Sequence, residues 1–406
     1  MPLDRWIKMK KGIVAGVVWV CLLATEAISN AVDAKDADPV REEPRIEASY
    51  KDRVFPKWIS FDGNLTAEVS SNVSGGLKRK TGFLGNLDLV FDIDPEKGGW
   101  WENGHFKVYF LGDAGDKPTE YVGDLQGTSN IEAPDAFRLF EFWYEHAFWD
   151  RKLALLGGLY DLNSEFDVLE YAGLFLNSSF GIGVDISQVG PSIFPLSALA
   201  VRGRFVGDRG VYLMAAAFDG VPGDPDEPDR TAIILDRDDG IFLCTEAGQV
   251  HGSPAEANYY KVGLGGWFRT TDFEDYSGEL RRSNGGVYSL AEASLTERIG
   301  IFFQLGFASD DRNQIGSYIG AGVNGHPVFC ADDELGFAVA HARNADRYMH
   351  LNNLADRAET VLELTYSFPL SDSLSLQPDL QYVVHPSMDK TLDNAVVLGM
   401  RISLDF

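Results

Sequence analysis

Apolar and polar residues alternate along short segments through most of the chain. The C-terminal segment is the clearest case: its even positions from Val396 to Phe406 are apolar, whereas its odd positions include Arg401, Ser403 and Asp405. Successive side chains of a β-strand point to opposite faces, so this pattern predicts a strand with one apolar and one polar face. A half-buried strand of a soluble sandwich would show the same pattern, with its apolar face inward.

The same alternation recurs and predicts sixteen antiparallel strands. On one of them, for example, Phe140, Phe142 and Tyr144 form the apolar face. No comparably long segment has a helical period. The predicted strands start near residues 59, 83, 104, 137, 152, 197, 210, 240, 259, 286, 299, 316, 335, 358, 373 and 394.

The connections between these strands alternate in length. Some are tight, such as Asp150-Arg151 and Glu297-Arg298, whereas others are long, such as 162–196 and 220–239. An outer-membrane barrel has an even number of strands, short turns on the periplasmic side and long loops outside. A sandwich would instead need Greek-key connections between its two sheets. Since backbone groups in a bilayer must pair within the protein, the pattern favours an all-β fold, a closed transmembrane antiparallel β-barrel.

The N-terminal region predicts export. Residues 1–31 combine basic side chains, the apolar segment Gly12 to Ala24 and the small-residue site Ser29-Asn30-Ala31, a pattern typical of a secretory signal peptide. The apolar segment is shorter than the roughly 18–20 residues of a spanning helix. Residues 32–57 are charged and contain three prolines, which indicates a periplasmic leader. The barrel domain is predicted for 58–406, in the outer membrane of a Gram-negative cell.

Charge and motifs exclude several classes of function. The chain has a formal net charge of −26, which argues against binding to nucleic acid. The spacing of Cys244 and Cys330 leaves their pairing open, and neither lies in a CxxC motif or beside a histidine cluster, so no metal or other cofactor is predicted. The histidines form no HExxH pair and lie beside no GxSxG elbow, which disfavours an outer-membrane protease or lipase.

Four stretches of uncommon sequence follow one another within residues 59–406. They are SNIEAPDAFRLFEFWYE (Ser129 to Glu145), GGLYDLNSEFDVLEYAGLFLNSSFGIGVDISQVGPSIFP (Gly157 to Pro195), AAFDGVPGDP (Ala216 to Pro225) and QPDLQYVVHP (Gln377 to Pro386). Together they resemble the carbohydrate-selective porins (OprB family) of Gram-negative outer membranes. The turn Gly325 to Asp333 departs from the family, because Phe329-Cys330 stand where an arginine is common.

The resemblance implies a β-barrel channel for passive, carbohydrate-selective diffusion. Small carbohydrates, namely glucose-like monosaccharides and small oligosaccharides, would pass into the periplasm. The same barrel would also build a general diffusion porin without sugar preference. The apolar outer face would meet outer-membrane lipid and lipopolysaccharide, and association into a homo-oligomer is compatible with such a barrel. The terminal Phe406 fits the aromatic girdle at the membrane interface and recognition by the barrel-assembly machinery.

The third external loop and its neighbouring strands hold the candidate pore residues. With a periplasmic N-terminus, odd strands run outward and 162–196 is the third external loop. A loop of about 35 residues is much longer than an ordinary connection and usually has a function. Its apolar content predicts that it folds into the lumen and narrows it, and the alternative is a loop packed over the rim. The predicted constriction comprises Glu141, Trp143, Glu145, Asp161, Asn163, Glu165, Arg202 and Arg204.

These side chains suit recognition of a sugar. An aromatic face can stack on a pyranose ring, and charged or amide groups can replace the hydrogen bonds that water makes to hydroxyls. Binding in a conducting pore must also stay weak enough for release. The alternative for each residue is membership of a salt-bridge ladder on the lumen wall.

Overall fold

A closed antiparallel barrel of sixteen strands forms the body of the protein. The computed structural model describes residues 55–406 except 225, 255 and 353–355, so the predicted signal peptide and almost all of the predicted leader lie outside the described residues. The barrel strands are β1 (Ile59–Ser74), β2 (Lys80–Ile93), β3 (Gly104–Gly115), β4 (Ala136–Phe148), β5 (Leu153–Tyr160), β6 (Ala198–Val206), β7 (Val211–Asp219), β8 (Ile241–His251), β9 (Tyr260–Arg269), β12 (Asn284–Thr296), β13 (Ile299–Ala308), β14 (Ile315–Gly325), β15 (Glu334–Asn344), β16 (Ala358–Ser371), β17 (Leu374–Val384) and β18 (Ala395–Asp405).

Each barrel strand pairs with its sequence neighbours, and β1 pairs with β18 to close the barrel. A separate hairpin, β10 (Phe273–Glu274) and β11 (Leu280–Arg281), lies between β9 and β12 in the chain. Every predicted strand start falls within three residues of an observed one. The prediction of a closed sixteen-stranded barrel is therefore confirmed.

Helices are short in the described part of the chain. They are α1 (Thr119–Val122), α2 (Ser178–Gly181), α3 (Val184–Ser187) and α4 (Asp346–Leu351). Within the same residues, no helix has the length and apolar character needed to cross a membrane. Cys244 and Cys330 are not joined by a disulfide. Cys244 is buried on β8, and Cys330 is exposed in the turn between β14 and β15.

The two faces of the strands differ as the alternation predicts. Outward side chains such as Phe83, Val201 and Leu264 are exposed and apolar, whereas inward ones such as Glu68 and Glu246 are buried and polar. An apolar exterior is what a barrel presents to lipid, and a polar interior is what a wet channel needs.

Phe140 lies inside the barrel, contrary to the simple alternation. The register between β3 and β4 shifts between Tyr109, which pairs with Glu141, and Phe110, which pairs with Leu139. Phe140 is therefore the extra residue of a β-bulge, which places it and Glu141 on the same face. Its ring meets that of Tyr109 edge-on, with centroids 5.1 Å apart. The predicted outward orientation of Phe140 is wrong.

The connection between β5 and β6, residues 161–197, folds into the barrel and is called the lumenal loop below. Its aromatic side chains Phe166, Phe175 and Phe180 are buried, and Phe175 and Phe180 pack on Phe302 of β13 with ring centroids 5.6 and 6.0 Å apart. The apolar side chains of this loop thus pack against the inner wall of the barrel and are not exposed to solvent at its rim. This confirms the prediction of a loop inside the lumen.

A second connection, residues 116–135 between β3 and β4, also reaches inward. The backbone N–H groups of Leu125 and Gln126 donate to Glu359 on β16, at 3.0 and 3.1 Å. Sequence analysis did not predict this contact, because the segment is shorter and more polar than the lumenal loop.

Candidate pore constriction

Arg202 on β6 joins the barrel wall to the start of the lumenal loop. Its Nη2 lies 2.8 Å from Glu145 on β4 and 2.6 Å from Glu165 in the loop. Arg204, two positions further along β6, lies 3.3 Å from the other oxygen of Glu165. These four residues form one arginine–carboxylate network, which holds the start of the lumenal loop against β4 and β6.

Glu141 and Trp143 on β4 form a second set of contacts beside this network. The Glu141 carboxylate accepts the backbone N–H of Asp161 and the indole N–H of Trp143, each at 3.1 Å. Lys107 Nζ lies 3.8 Å from Glu141 and 5.5 Å from the centroid of the Trp143 ring. The imidazole of His105 meets that ring edge-on at 5.2 Å. These contacts leave Trp143 only 8 % exposed.

Asp161 and Asn163 shape the first turn of the lumenal loop. The Asp161 side chain accepts the backbone N–H of Asn163 at 3.2 Å, and Asn163 Nδ2 donates to the carbonyl groups of Phe166 and Gly181 at 3.1 and 3.0 Å. Burial raises the pKa of Asp161 well above its usual range, and the nearby charge of Glu141 raises it further. Both residues are therefore engaged in holding the loop.

The structure brings all eight predicted residues into one region, and it adds neighbours that the sequence analysis missed. Tyr160 donates its hydroxyl to Glu165, and His105 Nε2 lies 2.8 Å from Asp92 Oδ1. A signal for the β3 contribution was present, since His105 and Lys107 alternate with apolar residues on a predicted strand. What the pattern could not supply was the register between β3 and β4, which brings Lys107 to Glu141.

Three further wall carboxylates accept backbone N–H groups from deeper in the lumenal loop. The bonds run from Asp167 N to Glu246 at 2.9 Å, from Tyr171 N to Glu292 at 3.0 Å, and from Leu176 N and Asn177 N to Glu363 at 2.6 and 3.0 Å. Buried backbone donors need partners, and charged acceptors make strong ones. The inward carboxylates of the wall thus hold the loop across the barrel.

Open space remains on both sides of the lumenal loop. Toward the short turns, a cavity of about 400 Å³ is lined in part by Glu145 and Arg204 of the arginine–carboxylate network. Toward the long loops, a cavity of about 550 Å³ is lined in part by Val184 and Gln188 of the lumenal loop and by Arg269 of β9. The network therefore borders the cavity on the short-turn side.

The sequence matches the model of a known protein family over most of its length. The family model described as "Carbohydrate-selective porin, OprB family" matches residues 78–406. The chain belongs to this family. The earlier resemblance is confirmed, and the protein is a porin, since the family and the fold are those of channels.

Solved structures of other outer-membrane channels share the fold of this porin. The high-pH structure of Pseudomonas putida OprB superposes with a TM-score of 0.76 at 18% identity, covering 86% of this chain and 94% of that one. The outer membrane channel DcaP of Acinetobacter baumannii gives a TM-score of 0.56 at 9% identity, covering 86% of this chain and 97% of that one. None of the curated proteins compared with the chain is significantly similar to it in sequence.

Proposed function

We propose that this porin is a passive, sugar-selective channel of the Gram-negative outer membrane, which carries glucose-like monosaccharides and small oligosaccharides into the periplasm. The arginine–carboxylate network of Glu145, Glu165, Arg202 and Arg204 is its constriction. The observation that carries the proposal is the pairing of charge in this network, where one buried guanidinium binds carboxylates from the wall and from the loop.

Paired charges suit a neutral, polyhydroxylated solute. An unpaired charge at a constriction attracts ions of one sign, whereas a compensated set presents donors and acceptors with a weak net field. Arg204 and Lys107 retain exposed side-chain surface, 45% and 26%, and can donate to sugar hydroxyls. The contacts around Trp143 give its ring a supporting role toward Lys107 and His105, because little of its face is free.

The barrel surface fits the same proposal. The side with the short turns, such as 149–152 and 297–298, faces the periplasm, and the exposed apolar belt faces lipid and lipopolysaccharide. Phe406 follows the last strand on that side and is the residue that the barrel-assembly machinery would recognise.

Single-channel recording in planar bilayers tests the proposal. Glucose, maltose and maltotriose are titrated against the current, and polyethylene glycols of matched hydrodynamic radius serve as controls for size. A sugar-selective channel is blocked saturably by the sugars and much less by the matched polymers. Equal effects of sugars and polymers would indicate a general diffusion porin, the alternative function of this barrel.

A further inference from the structure

A tryptophan borders the cavity of about 400 Å³ on the short-turn side. Trp58, the residue before β1, lines it, and the ring of Trp58 lies 4.9 Å from that of Trp100. The backbone of Trp58 is fixed, since its carbonyl oxygen accepts the N–H of Asp94 at 2.9 Å. We call this space the exit cavity. Its volume falls within the range of small-molecule sites, about 300–1,000 Å³.

Several polar groups on the exit cavity have unused hydrogen-bonding capacity. Ser60 and Asn103 line it, and neither side chain has a hydrogen bond to any other residue in the described part of the chain. Asp92 and Glu145 each use one carboxylate oxygen, for His105 and Arg202 respectively. Polar groups that have no protein partner can bind the hydroxyls of a pyranose, and an indole beside them can stack on its apolar face.

The exit cavity is lined by charged groups of both signs. Its lining includes Asp92, Asp94 and Glu145 as well as the cationic Lys57, Lys97, Arg151 and Arg204, in a chain whose formal net charge is −26. A cavity with both signs of charge close together favours a neutral polar ligand over an ion of either sign.

We infer that the exit cavity is a second sugar subsite, in which a neutral hexose unit stacks on Trp58 and bonds to Ser60, Asn103 and Asp92 after it has passed the arginine–carboxylate network. The inference rests on the proposed function and adds a site to it. Sugar that arrives from the periplasmic side reaches this subsite first. Two sites in series, each weak, allow a solute to be bound and still released.

Side-specific block of single channels tests the subsite, with maltose as the probe. In Trp58→Ala, the association constant for maltose added on the periplasmic side is expected to fall about fivefold, as for loss of one modest aromatic contact. Trp58→Phe keeps an aromatic face and should retain most of the binding. Trp149→Ala is the matched control, because Trp149 is an exposed tryptophan at the turn between β4 and β5 that does not line the cavity. Heat-modifiable migration on gels selects variants that are folded.

Asn103→Gly is a second, independent variant. Asn103 has a φ of 61°, so glycine removes the amide without straining the backbone. A two- to threefold loss of periplasmic-side block is expected. If folded Trp58→Ala and Asn103→Gly bind periplasmic maltose as tightly as the parent, the subsite is refuted while the proposed function stands. A conducting parent channel that no sugar blocks from either side overturns both.

Discussion

The guanidinium of Arg202 binds Glu165 through two of its nitrogens, with Nε 2.7 Å and Nη2 2.6 Å from the same carboxylate oxygen. Arg202 is 4% exposed and belongs to the wall, whereas Glu165 belongs to the lumenal loop. This ion pair therefore ties the lumenal loop to the barrel wall through a buried guanidinium. Breaking such a pair leaves a buried charge uncompensated, which is costly.

Replacement of Arg202 by alanine should increase cation selectivity. The variant leaves Glu145 and Glu165 without their shared counter-charge, so the local potential becomes more negative. Reversal potentials in a potassium chloride gradient measure the shift. Arg298→Ala, in an exposed turn, is the control and should behave like the parent. An unchanged reversal potential in folded Arg202→Ala would show that these carboxylates do not face the ion path.

Replacement of Trp143 by alanine should weaken sugar block with little change in ion selectivity. The ring carries no charge, but it supports the ammonium of Lys107 and the imidazole of His105, both of which lose their position in the variant. The half-blocking glucose concentration should rise by a factor corresponding to about 1 kcal/mol. Trp149→Ala controls for the loss of a tryptophan elsewhere. Sugar block equal to that of the parent would remove Trp143 from the constriction.

Replacement of Glu363 by alanine should increase fluctuations of the open-channel current. The variant leaves the N–H groups of Leu176 and Asn177 without their acceptor, at a cost of about 1–3 kcal/mol for each unsatisfied group. Glu363→Gln retains one oxygen acceptor and should lie between the alanine variant and the parent. Equal noise in all three channels would mean that the other contacts suffice to hold the lumenal loop.

Current noise should also depend on pH through Asp185 of the lumenal loop. Burial raises the pKa of Asp185 to about 7, and its Oδ2 has no hydrogen-bond partner. Between the usual carboxyl pKa and this value, the folded loop binds more protons than the unfolded one, so its stability falls as pH rises. The charge of Asp185 also raises the pKa of the buried Asp167, after burial itself. We expect the parent to be noisier at pH 8 than at pH 5.

Asp185→Asn is the matched variant for this pH dependence, since it keeps the shape of the side chain and cannot ionise. Its noise should vary less between pH 5 and pH 8 than that of the parent. Identical pH profiles would show that the ionisation of Asp185 does not change the stability of the lumenal loop.

Replacement of Phe406 by serine should reduce the amount of assembled barrel more than the properties of each channel. Phe406 exchanges two backbone hydrogen bonds with Gly63, at 2.9 and 3.0 Å, and its ring covers that glycine at the seam where β1 meets β18. The folded fraction is measured by heat-modifiable migration and by surface abundance. Phe83→Ser removes an equally outward phenylalanine from β2 and is the control. Normal abundance of Phe406→Ser would exclude an assembly role for the terminal ring.

The number of strands and the direction of most side chains follow from the sequence alone. Alternation is a local consequence of backbone geometry, so Val397 and Leu398 point to opposite faces of the sheet, and in the barrel these are the inner and the outer face. The apolar content of the lumenal loop was likewise sufficient to predict its burial. Both signals reside in a few consecutive residues, which is why they can be interpreted without a structure.

Only the tertiary structure decided which residues meet. The bulge at Phe140 depends on the register between two strands, and the pairing of Glu68 with Arg401, 2.6 Å apart, depends on closure of the whole barrel. The sequence placed Trp143 on the lumen face, but its burial comes from Lys107 and His105 on the neighbouring strand. Such contacts join residues far apart in the chain, and many pairings satisfy the same alternation, so packing in three dimensions has to select one.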